Sequence, residues 1–316
     1  MTADRTTGAE LDVMIPAYGD DALLREAVES VRGQSDPRWR LTVVDDGVAE
    51  GRSVDLKAWL ESFGDVRVRY LPNPVRLGIN RNFQRCVDEA TADWVMLLGA
   101  DDRLRPDLVA RAHAVIAAHP TAAWIHTDAA VIDDAGLPVS PLADRVKART
   151  RLRAPGGARV VGGEELAASL LHGNWMYFPS CVFRRGFVRE HGFREGYDIV
   201  LDLDLYLRMI LGGGECVLLG EPGIEYRRHA ASLSSSGAVD GTRLTEETAY
   251  FAEVAQELAR RGWHRAARAA RWHWTARAHG VAKLPGLLRA REWSVASTVL
   301  RLAASPVRTA KKEHQP

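Results

Sequence analysis

The chain has 316 residues, of which 46% are hydrophobic, 26% charged and 7% aromatic. A chain of this length and composition buries a sizeable core, which excludes disordered, collagen-like and coiled-coil proteins. The net charge of +1 conceals an asymmetry, because residues 257–316 carry 13 Lys and Arg against 3 Asp and Glu. The preceding residues are therefore acidic, and the basic tail is predicted to meet an anionic surface.

Apolar runs and helical patterns alternate over the first third of the chain, which is typical of βαβ units and a mostly parallel sheet. In chain order, strands are predicted at residues 11–18, 40–46, 66–72, 93–102 and 122–133, with helices between them at 20–34, 53–63, 78–90 and 106–120. The pattern therefore predicts an α/β fold in which helices flank the sheet.

The later part of the chain has a different composition. Residues 134–163 are rich in Arg, Pro and Gly and are predicted to form a long, mobile or acceptor-facing loop. A last strand is expected at 224–229, and the pattern is helical from residue 245. We predict an α/β domain over residues 1–244 and a basic helical extension over 245–316.

Cysteine usage and hydropathy favour a cytoplasmic protein. Cys86, Cys181 and Cys216 lie far apart, so the sequence indicates neither a zinc site nor a disulfide framework. The first ten residues lack the apolar core of a secretory signal. We also see no apolar run that approaches the roughly 18 residues needed to span a bilayer.

Acidic pairs follow two of the predicted parallel strands. Asp45 and Asp46 close the second strand, and Asp101 and Asp102 close the fourth. One such pair alone is commonly a helix cap or a solvated turn. Two pairs that close two parallel strands favour a hydroxyl-binding and Mg²⁺ or Mn²⁺ site for a diphosphate, since ligands bind at this edge of a parallel sheet. The glycine loops of P-loop NTPases and Rossmann dehydrogenases are missing.

The order of six short motifs resembles that of family 2 glycosyltransferases, which have the GT-A fold. The resemblance covers roughly residues 10–235. The motifs are IPAY (15–18), VVDDG (43–47), NPVRLGINRNF (73–83), GADD (99–102), LDLDLYLR (201–208) and YRRHAASLS (226–234).

The resemblance implies a nucleotide site at the first two strand ends. Pro16, Ala17 and Tyr18 correspond to the strand end that borders the nucleobase. Asp46 corresponds to the residue that accepts the N3–H of the base, which suits uracil or thymine. The alternative for Asp46 is a cap for the turn before Gly47.

Further positions correspond to the diphosphate and metal site of the family. Arg76 and Arg81 lie in a segment near the nucleotide, where a guanidinium binds phosphate well; the alternative is solvated arginines. Asp101 corresponds to the ribose-binding residue, and Asp102 to the ligand of the divalent metal. His229 corresponds to a histidine that reaches the metal or the diphosphate, although a lone histidine is more often structural.

Asp202 resembles the general base of the family, with a helix N-cap as its alternative role. On a helix that starts here, Asp202 and Asp204 point about 200° apart, so Asp204 is expected to pair within the fold.

The chain departs from the family pattern at two positions. Gly99 stands where many relatives have an Asp, which leaves the ligand Asp102 in place but removes a neighbouring carboxylate. Leu201 stands where an acidic residue is usual, so Asp202 lacks one like charge that raises its pKa.

The implied reaction is a single displacement with inversion, from a UDP- or dTDP-sugar to an acceptor hydroxyl, with a divalent metal neutralising the leaving diphosphate. The resemblance fits hexosyl and deoxyhexosyl transfer equally, and the acceptor is equally a glycan, a lipid-linked glycan or a natural product. The alternatives are a sugar nucleotidyltransferase, whose glycine-rich Arg/Lys loop is missing, and a non-catalytic carbohydrate-binding protein of the same fold.

The roles of two further features, an aromatic group and the basic tail, remain open. Trp175, Tyr177 and Phe178 either form an acceptor wall or pack in the core. The Arg- and Trp-rich tail either contacts an anionic membrane at its inner face or forms a packed appendage with a solvated Arg face. Apart from its charge, the tail has no nucleic-acid motif, so no nucleic-acid partner is expected.

Overall fold

The computed structural model describes residues 11–18, 21–47, 53–228 and 241–273, together with isolated positions between 284 and 300. The chain forms two compact units. The first comprises residues 1–140, 153–161 and 176–229. The second comprises residues 141–152, 162–175 and 230–316.

Strands and helices alternate as the sequence pattern predicts. The strands of the described part are β1 (Leu11–Ala17), β2 (Trp39–Asp45), β3 (Val68–Pro72), β4 (Trp94–Leu97), β5 (Arg103–Leu104), β6 (Trp124–Ile132), β7 (Ala158–Gly162), β8 (Cys181–Arg184) and β9 (Glu215–Arg227). The helices there are α1 (Asp21–Arg32), α2 (Ser53–Glu61), α3 (Ile79–Glu89), α4 (Leu108–Ala118), α5 (Leu142–Thr150), α6 (Gly163–His172), α7 (Arg185–His191), α8 (Leu201–Leu211), α9 (Gly241–Arg260) and α10 (His264–Trp272).

The described strands form one mixed sheet in the order β3-β2-β1-β4-β8-β6-β9-β5, with β7 paired to β9. Neighbours run parallel from β3 to β4 and between β6 and β9. Strand β8, which the sequence pattern did not reveal, runs antiparallel between β4 and β6.

The core of the first unit lies between the sheet and its helices. Strand β4 is buried along its whole length, as expected for a parallel strand covered on both faces. The face predicted for α1 is confirmed, since Leu24, Ala27, Val28 and Val31 are all buried against this core. Burial of a Leu or Val side chain contributes about 1.5–3 kcal/mol.

The long loop predicted at residues 134–163 is wrong. Helix α5, with nine residues, and strand β7, with five, occupy about half of this segment. The helix was missed because its surface is exposed, with Asp144 as its buried residue, so it has no apolar stripe to recognise. Strand β7 was missed because it has five residues, of which Val161 alone is buried.

The topology places the functional candidates at one edge of the sheet. Because β1, β2 and β4 are parallel neighbours, their carboxyl ends bring Ala17, Asp46 and the turn at residues 98–102 to the same edge. The three cysteines are buried free thiols. None of the helices in the described segments combines the length and hydropathy needed to cross a bilayer.

Candidate active site

Asp46 organises the turn after β2. Its amide donates to the Ala17 carbonyl (2.9 Å), which ties the ends of β1 and β2 together. Its buried carboxylate accepts from Asn73 Nδ2 (2.7 Å) and Leu77 N (2.7 Å) at Oδ1, and from Gly78 N (2.9 Å) at Oδ2. A carboxylate has about four acceptor positions, so Oδ2 retains capacity for one more donor.

A network of buried amides continues from Asp46 into α3. Asn73 Nδ2 also donates to Asn82 Oδ1 (2.9 Å), and Asn73 Oδ1 accepts from Arg85 Nη1. Asn82 in turn donates to the Val44 carbonyl (3.3 Å). These side chains fix the segment between β3 and α3 against the end of β2.

Asp45 has a different role from its neighbour. Its Oδ1 accepts from Gly47 N (2.8 Å), and its Oδ2 accepts from the Tyr70 hydroxyl (2.7 Å). Asp45 therefore closes the turn and anchors β3, which is the structural role expected of one acid in such a pair.

Tyr18 presents an exposed ring at the end of β1, where 48% of the residue is accessible. The guanidinium carbon of Arg76 lies 4.1 Å from the centroid of this ring. Arg76 thus stacks on Tyr18, and its predicted contact with phosphate stays a prediction. Pro16 and Ala17 pair with Val44 and Asp45 within the sheet, so Tyr18 is the accessible side chain of this predicted group.

Helix α3 begins after Gly78, whose φ of 79° lies in the left-handed region that favours glycine. Arg81 in its first turn is exposed, and its Nε lies 3.1 Å from Glu195 Oε1. Asn80 is buried and donates to the carbonyls of Arg194 (2.7 Å) and Tyr197 (3.2 Å). The start of α3 therefore holds the loop that leads into α8.

The second acidic pair folds back over Gly99. A Cβ atom placed on Gly99 would lie 2.5 Å from Asp102 Oδ2 and 3.0 Å from Asp101 Oδ1. Both carboxylates therefore converge on the backbone of Gly99, in space that a side chain would fill.

Asp102 is 1% exposed, and its Oδ1 accepts from the Arg227 amide (2.9 Å). Burial, and then the charge of Asp101, raise the pKa of the Asp102 carboxyl well above its usual range, while the Arg227 amide opposes this effect. A cation at this position would favour the ionised carboxylate.

This donor set fits a hard divalent cation. Mg²⁺ is commonly bound by one or two carboxylates together with the phosphates of a substrate. Asp101 and Asp102 supply such oxygens beside a buried turn. Within the part of the chain that the structure describes, no group of three His, Cys, Asp or Glu side chains forms a complete metal site. His229, the third predicted ligand, lies outside the described residues.

The two acids of α8 separate as predicted. Asp204 is buried and accepts from Arg208 Nε (2.8 Å) and Arg194 Nη1 (3.3 Å), so it pairs within the fold. Asp202 is half-buried in the first turn of α8, and its Oδ1 accepts from Leu203 N (2.7 Å). Burial is the main cause that raises the pKa of the Tyr206 hydroxyl. The charge of Asp202 is one of the smaller causes. Asp202 therefore lies near the buried Tyr206 hydroxyl.

Residues 12–162 match the family model described as glycosyl transferase family 2. Over this stretch, which is 151 of the 316 residues, the chain is similar to family 2 glycosyltransferases. The resemblance given by the motifs is thereby confirmed.

Two curated relatives show how far the similarity extends. An uncharacterized protein of Sinorhizobium fredii is 31% identical over 64% of this chain, but the match spans only 20% of that protein. A putative glycosyltransferase of Bacillus subtilis, EpsE, is 24% identical over 42% of this chain and 47% of its own length. The chain thus spans between a fifth and half of these two relatives.

Two solved structures share the fold. Mannosyltransferase PcManGT from Pyrobaculum calidifontis, in complex with GDP-Man and Mn²⁺, is 16% identical, with a TM-score of 0.58 over 95% of this chain and 87% of its own. S. aureus TarS 1-349, in complex with UDP-GlcNAc, is 16% identical, with a TM-score of 0.56 over 79% of this chain and 65% of its own. The predicted GT-A fold is confirmed.

The three aromatic residues for which an acceptor wall and core packing were both open are buried. Trp175, Tyr177 and Phe178 are 2%, 7% and 9% exposed. The Phe178 ring stacks on that of Phe83 (5.5 Å), and Trp175 Nε1 donates to Ser169 Oγ (3.0 Å). Of the two alternatives, the structure favours packing.

Several residues of the site were missed at the sequence level, among them Asn73, Asn80, Asn82 and Arg227. The asparagines stand within the NPVRLGINRNF motif, whose density of amides was the available signal. Nothing in the sequence distinguished Arg227 from Arg228.

Proposed function

We propose that this chain is an inverting, metal-dependent glycosyltransferase that moves a sugar from a nucleoside-diphosphate sugar to an acceptor hydroxyl. The observation that carries the proposal is the buried Asp102 beside Asp101, at the sheet edge where Tyr18 and Asp46 also lie. The similarity to family 2 glycosyltransferases supports the same reaction class.

The donor is a UDP- or dTDP-sugar in this proposal. Asp46 Oδ2 accepts one hydrogen bond, from Gly78, and can accept a second from the N3–H of uracil or thymine. The exposed Tyr18 ring offers an aromatic face to the base, and Arg76 above it brings a positive charge to the same place. Arg81, paired with the exposed Glu195, is free to exchange this surface partner for a phosphate at little cost.

The cation is Mg²⁺ or Mn²⁺, held by Asp102 with His229, while Asp101 binds the ribose. When bound, it supplies charge neutralisation for the departing nucleoside diphosphate. The described residues contribute two convergent carboxylates, and PcManGT was solved with Mn²⁺. The chemistry of hard oxygen ligands is the same for both ions.

Asp202 is the general base. Its half-buried carboxylate is accessible to an acceptor hydroxyl, unlike the buried Asp204, which two arginines already engage. Removal of the hydroxyl proton as the oxygen attacks C1 inverts the anomeric centre in one step. The acceptor classes remain a glycan, a lipid-linked glycan or a natural product, with hexosyl or deoxyhexosyl transfer.

Calorimetry and a nucleoside-diphosphate release assay test the proposal. The protein is titrated with UDP, dTDP and GDP in the presence of Mn²⁺, and release is measured from the corresponding sugars. Asp202→Asn is expected to keep nucleotide binding and to lower turnover by about 10²–10⁴-fold. Asp102→Ala is expected to abolish the Mn²⁺-dependent part of binding.

Asp65→Ala is the matched control, because Asp65 pairs with Arg67 before β3, at the opposite end of the sheet. It should leave nucleotide binding and release unchanged. Release that survives both site variants contradicts the catalytic proposal. Formation of a nucleotide sugar from a nucleoside triphosphate and a sugar phosphate would instead identify a nucleotidyltransferase, and sugar binding without nucleotide binding a carbohydrate-binding protein.

We further propose that the arginine face of α10 contacts an anionic membrane. The helix buries Ala266, Ala267, Ala269 and Ala270 against α6 and α9 and exposes Arg265, Arg268 and Arg271. Glu164 of α6 caps its first turn by accepting from the amides of Arg265 (2.6 Å) and Ala266 (3.2 Å). The packing of the alanines therefore leaves the three arginines on the exposed face of α10. Each arginine contributes about 1 kcal/mol to binding when it lies near an anionic lipid surface.

Vesicle co-sedimentation at 0.15 M salt tests this contact, with phosphatidylcholine vesicles compared to vesicles that contain 30% phosphatidylglycerol. Arg265→Glu with Arg268→Glu should weaken binding to the anionic vesicles at least tenfold. Arg145→Glu with Arg149→Glu on the exposed helix α5 makes the same change of charge elsewhere in this unit and is the control. Equal binding of the two double variants, or equal binding to both vesicle types, contradicts the proposal.

A further inference from the structure

Arg227 ends β9 with a side chain that is 1% exposed. Its guanidinium makes four hydrogen bonds within the first unit. Nε donates to the Asp101 carbonyl (2.8 Å), and Nη1 to the carbonyls of Asp134 (2.9 Å) and Asp133 (3.2 Å). Nη2 donates to Glu26 Oε2 (2.6 Å) on α1. The planar guanidinium thus ties three segments to the end of β9.

The backbone of the same residue holds the other acid of the pair. The Arg227 amide donates to Asp102 Oδ1 (2.9 Å), while the guanidinium holds the carbonyl of Asp101. One residue therefore restrains both the peptide group between the two acids and the Asp102 carboxylate. With Oδ1 engaged in this way, Oδ2 is the oxygen that approaches Gly99.

A buried arginine is costly, because desolvation of an ion amounts to several kcal/mol even after the protein relaxes. Glu26 compensates part of this charge, and Arg103 links Glu26 (3.4 Å) to Glu225 (2.7 Å). An apolar side chain of similar volume would fill the same space without that cost. An apolar side chain would supply neither the hydrogen bond to the Asp101 carbonyl nor a positive charge beside the two carboxylates.

We propose that Arg227 is a positioning residue for donor binding, which holds Asp101 and Asp102 in the orientation from which they engage the cation and the nucleotide. This inference rests on the proposed metal-dependent function. It adds a residue that contacts neither the cation nor the sugar and that acts through the two acids.

Arg184 provides a matched comparison for a merely structural role. Its guanidinium also binds backbone carbonyls, those of Ala122 (2.9 Å) and Pro120. Arg184 pairs with Trp94 at the start of β4, so it lies at the opposite end of that strand from the acidic pair. Arg227→Lys and Arg184→Lys each keep the charge and lose the planar fork.

The experiment measures the affinity for Mn²⁺ by calorimetry, in the presence of UDP or dTDP, whichever the unmodified protein binds. Loss of a group that orients a metal ligand typically costs about 10–100-fold in metal affinity. Arg227→Lys is therefore expected to weaken Mn²⁺ binding at least tenfold. Arg184→Lys should stay within about twofold of the unmodified protein even where both variants lower the melting temperature. Unchanged Mn²⁺ affinity in a folded Arg227→Lys protein overturns the inference.

A second pair of variants applies should Arg227→Lys fail to fold. Glu26→Gln removes the anion that holds Arg227 Nη2, and Glu29→Gln removes the same charge one turn later, where Glu29 pairs with Arg32. Both glutamates are about half exposed, so both variants should fold. Weaker Mn²⁺ binding in Glu26→Gln alone supports the inference, and equal affinities overturn it.

The two proposals fail in different ways. An unmodified protein that binds no nucleotide with Mn²⁺ contradicts the proposed function itself. An unmodified protein that binds both, with Arg227→Lys and Glu26→Gln equal to their controls, contradicts the role of Arg227 alone.

Discussion

Substitution of Gly99 by Ala is expected to impair donor binding although it adds one methyl group. The new carbon would lie 2.5 Å from Asp102 Oδ2 and 3.0 Å from Asp101 Oδ1, whereas ordinary contacts begin near 3.4 Å. Asp102 is buried and restrained by Arg227, so its carboxylate must retreat by about 1 Å, a displacement that costs about 10²-fold in rate. The added methyl group also overpacks the turn, at about 1–3 kcal/mol.

The assay is nucleoside-diphosphate release with calorimetric Mn²⁺ affinity, and Gly186→Ala is its control. Gly186 lies in α7, where an added Cβ meets nothing within 4 Å, so this variant should keep both affinity and rate. Gly99→Asp should be worse than Gly99→Ala because a third carboxylate enters the same space. Mn²⁺ affinity and turnover at the unmodified level in Gly99→Ala refute this reasoning.

Three further substitutions separate structural from functional roles. Asp204→Asn should destabilise the fold by about 1–3 kcal/mol in thermal unfolding, since the buried Asp204 loses the charge that pairs with the partly exposed Arg194 and Arg208, whereas Asp202→Asn should leave the melting temperature nearly unchanged. Asn73→Ala should cost about 1–3 kcal/mol in urea unfolding, because it removes one of the three donors to the buried Asp46 carboxylate and the donor to the buried Asn82 Oδ1. The hydrogen bond from Arg38 lowers the pKa of Asp36 to about 2, so its contribution to stability is present above the unfolded pKa and is lost as the pH falls toward 2. Asp36→Asn should therefore be less stable than the unmodified protein at pH 7 and equal to it near pH 2.

The parts of the fold that the sequence predicts are those with a strong local pattern. Strand β4 is recognisable because four successive apolar residues can be buried only between two helical layers. Strand β8 was missed because its pairing partners, β4 and β6, are some 50–90 residues away in the chain, and four residues carry too little pattern to reveal an antiparallel insertion.

The residues of the candidate site also divide into those that a local sequence pattern predicts and those that it does not. Asp46, Asp101 and Asp102 were predictable because strand ends locate them. The partners that restrain them were not, because hydrogen bonds such as the one between Arg227 and Glu26 join residues 201 positions apart in the chain, with no trace in local sequence. The role of Asp204 was partly predictable. Helical geometry alone separates Asp204 from Asp202, and its partner Arg208 lies one turn away.

The two acidic pairs look alike in sequence, but their hydrogen bonds differ, and this difference is the reason that we propose a cation at only one of them. Asp46 accepts three hydrogen bonds from neutral amide groups, so folding alone largely satisfies its charge. Among the described residues, the Asp102 carboxylate accepts a single hydrogen bond, from Arg227 N, and it is more deeply buried than Asp46. A buried carboxylate with one donor and a second carboxylate beside it is unfavourable by itself, which is why its pKa is raised. A cation would add to the positive charge of Arg227 and Arg228 in relieving this arrangement, which is why we propose the pair after β4 as the cation site.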